Sequence, residues 1–275
     1  MTSIGGTGGI VLAGGRSTRM GTAKAALEWH GSTLLRRMTG LVGRVVDGPV
    51  VVVAAPGQRL PSLPERVELA ADPAEGRGPL QGIAVGLAAL AGRAETAFVC
   101  AVDLPFLHPA FVRRVLRGLA DGADVALPVV RGYPQPLAAG YRTALAPLAA
   151  GLLAAGRARV GGLAERCAAQ RLGEATLLAD PVLAALDPDL DSVRNLNSPS
   201  DYATARARPA PWILVWYGGR QAPVEAATLA TAAELVLPAR GQVAVRVELN
   251  GDRVGWDDEL PLATGDRLAL SLRPR

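Results

Sequence analysis

Lysine is almost missing from this chain. Of 29 basic residues all but one are arginine, and Lys24 is the exception. A chain that uses arginine elsewhere but lysine here marks a position that arginine does not serve. A compact ammonium fits between phosphate oxygens where a planar guanidinium fork does not. Cysteine is scarce as well. Cys100 and Cys167 stand apart with no metal-type spacing, which excludes a disulfide scaffold and fits a reduced compartment. The two histidines, His30 and His108, are distant in sequence and make no case for a zinc site or a nucleophilic triad. Aromatic residues are only 4% of the chain while apolar residues are 49%, so a sizeable core must be mostly Ala, Val and Leu. No apolar run approaches the roughly 18 residues of a membrane helix. The first residues carry neither a basic cluster nor a sustained apolar stretch, so a cytoplasmic protein is expected.

Positive charge is present but dispersed. The formal net charge is +4, and residues 208–275 are neutral, with eight arginines and eight acids. Arg36-Arg37 and Arg113-Arg114 fall in helical patterns and read as solvated faces. A basic chain without a basic stripe or interleaved aromatics favours an anionic small molecule over nucleic acid as its ligand.

The most informative stretch is Ile10-Val11-Leu12-Ala13-Gly14-Gly15-Arg16-Ser17-Thr18-Arg19-Met20-Gly21-Thr22-Ala23-Lys24. A short apolar strand ends in two glycines, and a loop with two arginines and the lysine follows. Glycines at a strand end let backbone N–H groups approach phosphate. Arg19 and Lys24 add positive charge beside them. The pattern is not a P-loop, because Thr22 and Ala23 follow Gly21. It is not the dinucleotide fingerprint, because the spaced glycines precede the strand and Val11 occupies the third position. Gly5 to Gly9 reads as an N-terminal tail.

Further along, β-branched and apolar runs alternate with helical patterns. Strands are predicted at Val50–Ala54, Val67–Ala70, Ala97–Val102 and Val125–Val130. Helices are predicted from a Ser32 or Thr33 cap to about Val45, over Leu80–Leu90, over Phe111–Ala120 and over Thr143–Ala155. This alternation implies an α/β fold with a mostly parallel sheet and helices on both faces. Ligands of such sheets bind beyond the carboxyl ends of the strands. Gly14-Gly15, Asp72 and Asp103 each follow an apolar strand directly, so they are expected to meet at one site. Asp103, between a strand and the Leu104-Pro105 turn, is suited to Mg²⁺ bridged to substrate phosphates. In Asn195-Leu196-Asn197-Ser198-Pro199, Ser198 or Asn197 caps a helix with Pro199 in its first turn. The two asparagines flanking Leu196 point the same way from a short strand, and one amide, assigned to Asn197, would complete a metal shell opposite Asp103.

The motif Leu-Ala-Gly-Gly-x-x-x-Arg-Met-Gly-x-x-Lys is similar to the signature of molybdenum cofactor guanylyltransferases. Asp72, Gly78-Pro79-Leu80-Gln81-Gly82, Asp103-Leu104-Pro105-Phe106, Gln135-Pro136-Leu137 and Asn195-Leu196-Asn197-Ser198-Pro199 follow in that family's order, so the resemblance covers residues 9–207. It implies a Rossmann-like α/β fold, transfer of GMP from GTP to the terminal phosphate of molybdopterin with release of pyrophosphate, and Mg²⁺ as cofactor. Backbone at Leu12, Ala13 and Gly14, with Gly15 and Arg19 beside it, would hold the nucleotide. Lys24 would hold its phosphates, Asp72 would contact it and Asp103 would bind the metal. Several family members carry a nucleotide-contacting asparagine after the second strand, where this chain has Val53-Ala54-Ala55. A cytidylyltransferase of the same cofactor keeps the chemistry and changes the base, and Gly-Gly rather than Ala-Gly favours guanine. A sugar-phosphate nucleotidyltransferase has a similar glycine loop but is usually longer. A non-catalytic nucleotide-binding scaffold is opposed by the intact Lys24, Asp72 and Asp103.

Arg206-Ala207-Arg208-Pro209-Ala210-Pro211 reads as a linker that few contacts cross, which divides the chain into 1–207 and 208–275. Beyond it, strands at Trp212–Tyr217, Val243–Leu249 and Arg267–Leu272 surround a helix at Ala226–Leu235, with an Asn250-Gly251 turn. This unit resembles the ubiquitin-like β-grasp sulfur carriers of molybdopterin synthesis, and such a unit could dock on molybdenum-cofactor proteins. Those carriers end in an activated Gly-Gly, whereas the last residues here are Leu272-Arg273-Pro274-Arg275.

Overall fold

Strand β1 (Thr7–Leu12) lies inside an eight-stranded sheet with β2 (Val50–Ala54) on one side and β4 (Thr96–Ala101) on the other, both parallel to it. The computed structural model describes residues 6–14, 23–73, 77–237 and 245–272. Strand β3 (Val67–Ala71) extends the parallel set beyond β2, and the order runs β3-β2-β1-β4-β7-β5-β6. Strand β7 (Ala138–Arg142) is antiparallel to both β4 and β5 (Val125–Val130), so β5 again runs with β4. Strand β6 (Tyr133–Pro134) pairs with β5 antiparallel, and β8 (Ala169–Gly173) pairs with it parallel. The expected mostly parallel sheet is present, with β6, β7 and β8 added to it.

The strands are continuous apolar runs because both faces of the sheet are covered. Val11, Val52 and Cys100 pack with Leu35 and Met38 of α1 (Leu34–Gly43) and Phe111 and Val115 of α3 (Pro109–Arg117). Ile10, Val51 and Val99 face the other way, onto Ile83 and Leu87 of α2 (Pro79–Leu90) and Leu152 of α4 (Ala146–Ala154). Short helices α5 (Gly161–Ala164), α6 (Glu174–Leu178) and α7 (Pro181–Leu186) continue these layers, and α8 (Pro199–Arg206) follows. Thr33 caps α1, accepting from the Arg36 N–H, and Ser198 and Asp201 form a capping box on α8. His108 caps α3, which leaves Asp103 free of that role.

Gly8 and Gly9 belong to β1 and not to a tail. A Cβ on Gly8 would lie 2.6 Å from Leu90, and one on Gly9 would lie 2.4 Å from Val42. The strand is bare there so that α2 and α1 can close on it from opposite faces. Gly5 lies outside the described residues.

A second, five-stranded sheet has its own core of Ile213, Val215, Leu229, Val247, Leu249 and Leu268. Strands β9 (Trp212–Tyr217) and β10 (Arg220–Glu225) form a hairpin, followed by α9 (Leu229–Val236). Strands β11 (Val245–Leu249), β12 (Asp252–Val254) and β13 (Arg267–Leu272) complete the sheet in the order β10-β9-β13-β11-β12, with β13 parallel to β9. Residues 243 and 244 of the expected strand lie outside the described residues. The Asn250-Gly251 turn forms as expected, with φ of 57° and 93°, the pattern of a two-residue hairpin turn that suits right-handed strand twist.

The second sheet is not loosely tethered, contrary to the linker reading. Its loop over residues 256–266 packs along α1. Arg44 forms a two-point ion pair with Asp266 at 2.5 and 2.8 Å, and Arg36 donates to Asp257 at 2.5 Å. A Cβ on Gly40 would lie 2.4 Å from the Pro261 ring. Arg37, expected on a solvated face, is buried at 6% exposure. The helical period put it on a face that turns out to be covered by a distant part of the chain. Arg113 does remain exposed, and Arg114 donates to the Thr176 carbonyl.

Candidate active site

Four parallel strands deliver their carboxyl ends to one cavity of about 610 Å³. Leu12, Ala13 and Gly14 come from the end of β1, Ala54 and Ala55 from β2, Asp72 from just past β3, and Val102 and Asp103 from just past β4. The sheet order reverses at β1, since β2 and β4 lie on either side of it, and such a switch point opens a crevice for ligand. Gly78 and Pro79, at the start of α2, line the same cavity. Gly78 has φ of 79°, a left-handed conformation that favours glycine, and it turns the chain into the helix. Gln135, Pro136 and Leu137 close the far wall.

Lys24 reaches this cavity from a single helical turn over Lys24–Ala26. Its ammonium donates to Asp103 Oδ2 at 2.7 Å and to the Leu196 carbonyl at 2.5 Å. The lysine and aspartate side chains are only 21% and 14% exposed, so the pair is partly shielded from water. The Leu196 N–H donates to the Asp103 carbonyl at 3.0 Å, which ties the 195–197 segment to the Asp103 turn. The structure therefore gathers a cation, a carboxylate and a carbonyl from three distant stretches.

The backbone of the glycine loop is more occupied than its sequence suggests. Ala13 and Gly14 N–H both point to the Val53 carbonyl, at 2.9 and 3.3 Å, and the Leu12 carbonyl accepts from Val102. Those N–H groups serve to join β1 to β2, so they are not open donors to phosphate. Carbonyl oxygens have a second lone pair and remain able to accept from a ligand. A Cβ on Gly14 would lie 3.3 Å from the Ala55 nitrogen, so glycine also allows the two strand ends to approach. Gln58 was not anticipated. Its amide donates to the Ala13 carbonyl at 2.9 Å and accepts from Ala55 N–H at 3.0 Å. It braces the two strand ends where several relatives of this type were expected to carry an asparagine. Only its place four residues after Ala54 could have drawn attention to it.

Gly15 and Arg19 lie outside the described residues. Asn197 does not line the cavity, whereas Asn195 does. The two asparagine side chains hydrogen-bond to each other at 3.2 and 3.4 Å, so they do point the same way, but from a loop and not a strand. The Asn197 N–H is held by Asp201 at the α8 cap. Among the described residues, no group of three or more His, Cys, Asp or Glu side chains could hold a metal alone. The donors around Lys24 are hard oxygens already collected around a positive charge. Such a partial set fits a Mg²⁺ that takes its remaining ligands from phosphate and water.

Comparison with known proteins bears on this geometry. Residues 9–168 match the family model described as a MobA-like NTP transferase domain. The chain belongs to this family. A probable molybdenum cofactor guanylyltransferase of Mycobacterium tuberculosis is 42% identical over 168 residues, covering 60% of this chain and 82% of the relative. Among solved structures, the molybdopterin-guanine dinucleotide biosynthesis protein A of Archaeoglobus fulgidus superposes with a TM-score of 0.58 at 23% identity, covering 72% of this chain and 96% of that one. The 2-C-methyl-D-erythritol 4-phosphate cytidylyltransferase of Thermus thermophilus superposes at 0.52 with 20% identity, covering 72% and 96%. These two superpositions show the nucleotidyltransferase fold. By its family and its mycobacterial relative, the MobA-like chain is a nucleotidyltransferase. No helix among the described residues is long and apolar enough to cross a membrane.

Proposed function

We propose that this MobA-like nucleotidyltransferase transfers GMP from GTP to the terminal phosphate of molybdopterin, a reading supported by its 42% identity to a probable molybdenum cofactor guanylyltransferase. The observation that carries this reading is the meeting of Lys24, Asp103 and the β1 end in one cavity at the sheet's switch point. A phosphate oxygen of the acceptor attacks the α-phosphorus of GTP, and the bond from that phosphorus to the bridging oxygen breaks. Pyrophosphate leaves with the bonding pair. The protein's part is positioning and charge stabilisation. Guanine presents N1–H and N2–H₂ donors on one edge, which suit the carbonyl lone pairs of Leu12 and Ala13. Lys24 stabilises the triphosphate, since its ammonium has three N–H donors and spends two of them on Asp103 and the Leu196 carbonyl. Asp103, with the Leu196 carbonyl and Asn195 beside it, would hold Mg²⁺, which supplies charge neutralisation on the triphosphate. Asp72 contacts the nucleotide from the β3 end, and the resemblance to the family adds Gly15 and Arg19 to the nucleotide-binding residues.

The domain reading, 1–207 and 208–275, is supported by the separate cores of the two sheets. The strand order of the second sheet, with its last strand central and parallel to its first, supports a β-grasp unit. Such a unit is a candidate platform for molybdenum-cofactor proteins.

The test is to incubate the protein with each of the four NTPs, Mg²⁺ and molybdopterin, and to measure pyrophosphate. GTP should bind at least tenfold more tightly than CTP, about 1.4 kcal/mol. A preference for CTP moves the assignment to the cytidylyl reaction.

A further inference from the structure

The segment that follows Asp103 is held from outside its own sheet. Leu104 to His108 joins β4 to α3, and it is tied to the second unit directly at Phe106 and His108 and through Arg37 at Pro105. Arg37, buried in α1, donates from Nε to the Pro105 carbonyl at 2.7 Å and from Nη1 to the Leu262 carbonyl at 3.2 Å. One guanidinium thus spans the Asp103 segment and the loop of the second unit. The Phe106 ring carries the Arg208 guanidinium at 4.3 Å from its centroid, and Trp29 meets it edge-on. His108 Nε2 is 3.0 Å from the Thr264 carbonyl. Its Nδ1 accepts from Ala110 N–H at 3.1 Å, so Nε2 carries the proton and donates to Thr264. The loop that presents Leu262 and Thr264 is itself fixed by Asp266, which accepts from Ala263 N–H at 2.7 Å and pairs with Arg44.

We propose that the second unit is a fixed clamp on the Asp103 segment, with Arg37 as the positioning residue that transmits it. This rests on the reading of Asp103 as the residue that meets metal and triphosphate. A carboxylate at the end of a strand is only as well placed as the turn that bears it, and loops at strand ends carry the least ordered backbone of such folds. Here Arg208 and Thr264 directly, and Leu262 through the buried Arg37, replace that freedom with fixed contacts. The family match ends at residue 168, so the clamp is supplied by sequence beyond it. Mere packing between the units would change stability and leave the Asp103 turn indifferent to it.

Two variants separate these cases. Asp266→Asn lies in the second unit and loosens the loop without touching the cavity. Arg37→Lys keeps the charge and stem but loses the fork that reaches both carbonyls. Hydrogen exchange of the full-length protein, in peptides covering Leu104–His108, is read beside kcat, the KM for GTP and Mn²⁺ affinity by electron paramagnetic resonance. Both variants should speed exchange in this segment at least tenfold and weaken Mn²⁺ binding severalfold. They should lower kcat about tenfold and leave the KM for GTP within twofold, because Leu12–Gly14 are braced separately by Gln58. Folded variants with unchanged exchange and unchanged Mn²⁺ affinity overturn the clamp, whatever their melting points. If Arg37→Lys does not fold, Asp266→Asn decides alone. If the wild-type protein transfers no nucleotide, the functional reading fails while the exchange result still decides the clamp.

Discussion

An ammonium held at 2.7 Å by a carboxylate and at 2.5 Å by a carbonyl is a cation already seated among oxygens. Arginine in the same place would need to set a planar fork between acceptors that approach from two stretches of chain. Lys24→Arg should therefore lower kcat/KM by two orders of magnitude or more, about 2.7 kcal/mol of transition-state stabilisation. Asp103→Asn should cost at least as much, since the amide can still accept from Lys24 but no longer offers an anionic ligand. Neither should change the melting temperature by more than a few degrees, because arginine keeps the positive charge beside Asp103 and the asparagine amide oxygen still accepts from Lys24. Steady-state kinetics with thermal unfolding on the same samples checks both, and a Lys24→Arg enzyme with normal turnover removes the lysine from the chemistry. Lys24 could be picked out beforehand because the chain contains no other lysine. Gln58 could not, because a glutamine in a polar loop carries no compositional signal, and only its two hydrogen bonds reveal it.

Helix α2 shows how an element positions the cavity. It is rich in small residues because it lies close against β1. A Cβ on Gly82 would meet Leu12 at 3.0 Å, and one on Gly86 would meet Ile10 at 2.5 Å. Gly86→Ala gains roughly 1 kcal/mol of helix propensity but overpacks the sheet, which costs about 1–3 kcal/mol. The expected net effect is destabilisation. A Cβ on Gly151, in α4, would meet nothing within 4 Å. Gly151→Ala should therefore stabilise by about 0.5–1 kcal/mol. Urea unfolding with unchanged slope reads both; equal gains at the two sites would contradict the close packing of α2 on β1. The same physics explains which elements were legible. β2 and β5 are buried valine-rich runs, and β4 is a buried apolar run, so all three declare themselves. β7 is Ala-Ala-Gly-Tyr-Arg and β8 is Ala-Gln-Arg-Leu-Gly, with no β-branched residue in either, and only their neighbours in the sheet make them strands. β10 contains Pro223, which sits at the sheet edge where a missing N–H costs nothing.

At the scale of the whole molecule, the proline-rich linker suggested two independent bodies, whereas arginines 36, 37 and 44 of α1 and its C-terminal end bind them together. Local composition could not show this, because each partner lies more than two hundred residues away. The contact has a pH signature. His108 is buried between the units, and burial, with Arg44 and Arg113 nearby, lowers its pKa, while the Thr264 carbonyl and Asp266 oppose that shift. His30 is lowered too, by burial and then by Arg206, with Glu28 opposing. A protonated His108 would turn Nδ1 into a donor facing the Ala110 N–H that it now accepts from. The unfolded chain therefore binds more protons than the folded one between the lowered values and the ordinary histidine value near 6.5. Stability must then rise with pH across that window and fall on acidification through it, by up to about 1.4 kcal/mol per pH unit for each histidine. Glu28 and Asp180, where burial is outweighed by hydrogen bonds and by arginine partners, are lowered carboxylates that act further down, below their ordinary range. Calorimetric melting from pH 7.5 to 5.5 at constant ionic strength should show the decline. His108→Asn retains a side-chain acceptor for the α3 cap but does not titrate, so its melting point should depend less steeply on pH than that of the wild type. Equal slopes would mean that His108 is not the group that senses pH at this interface.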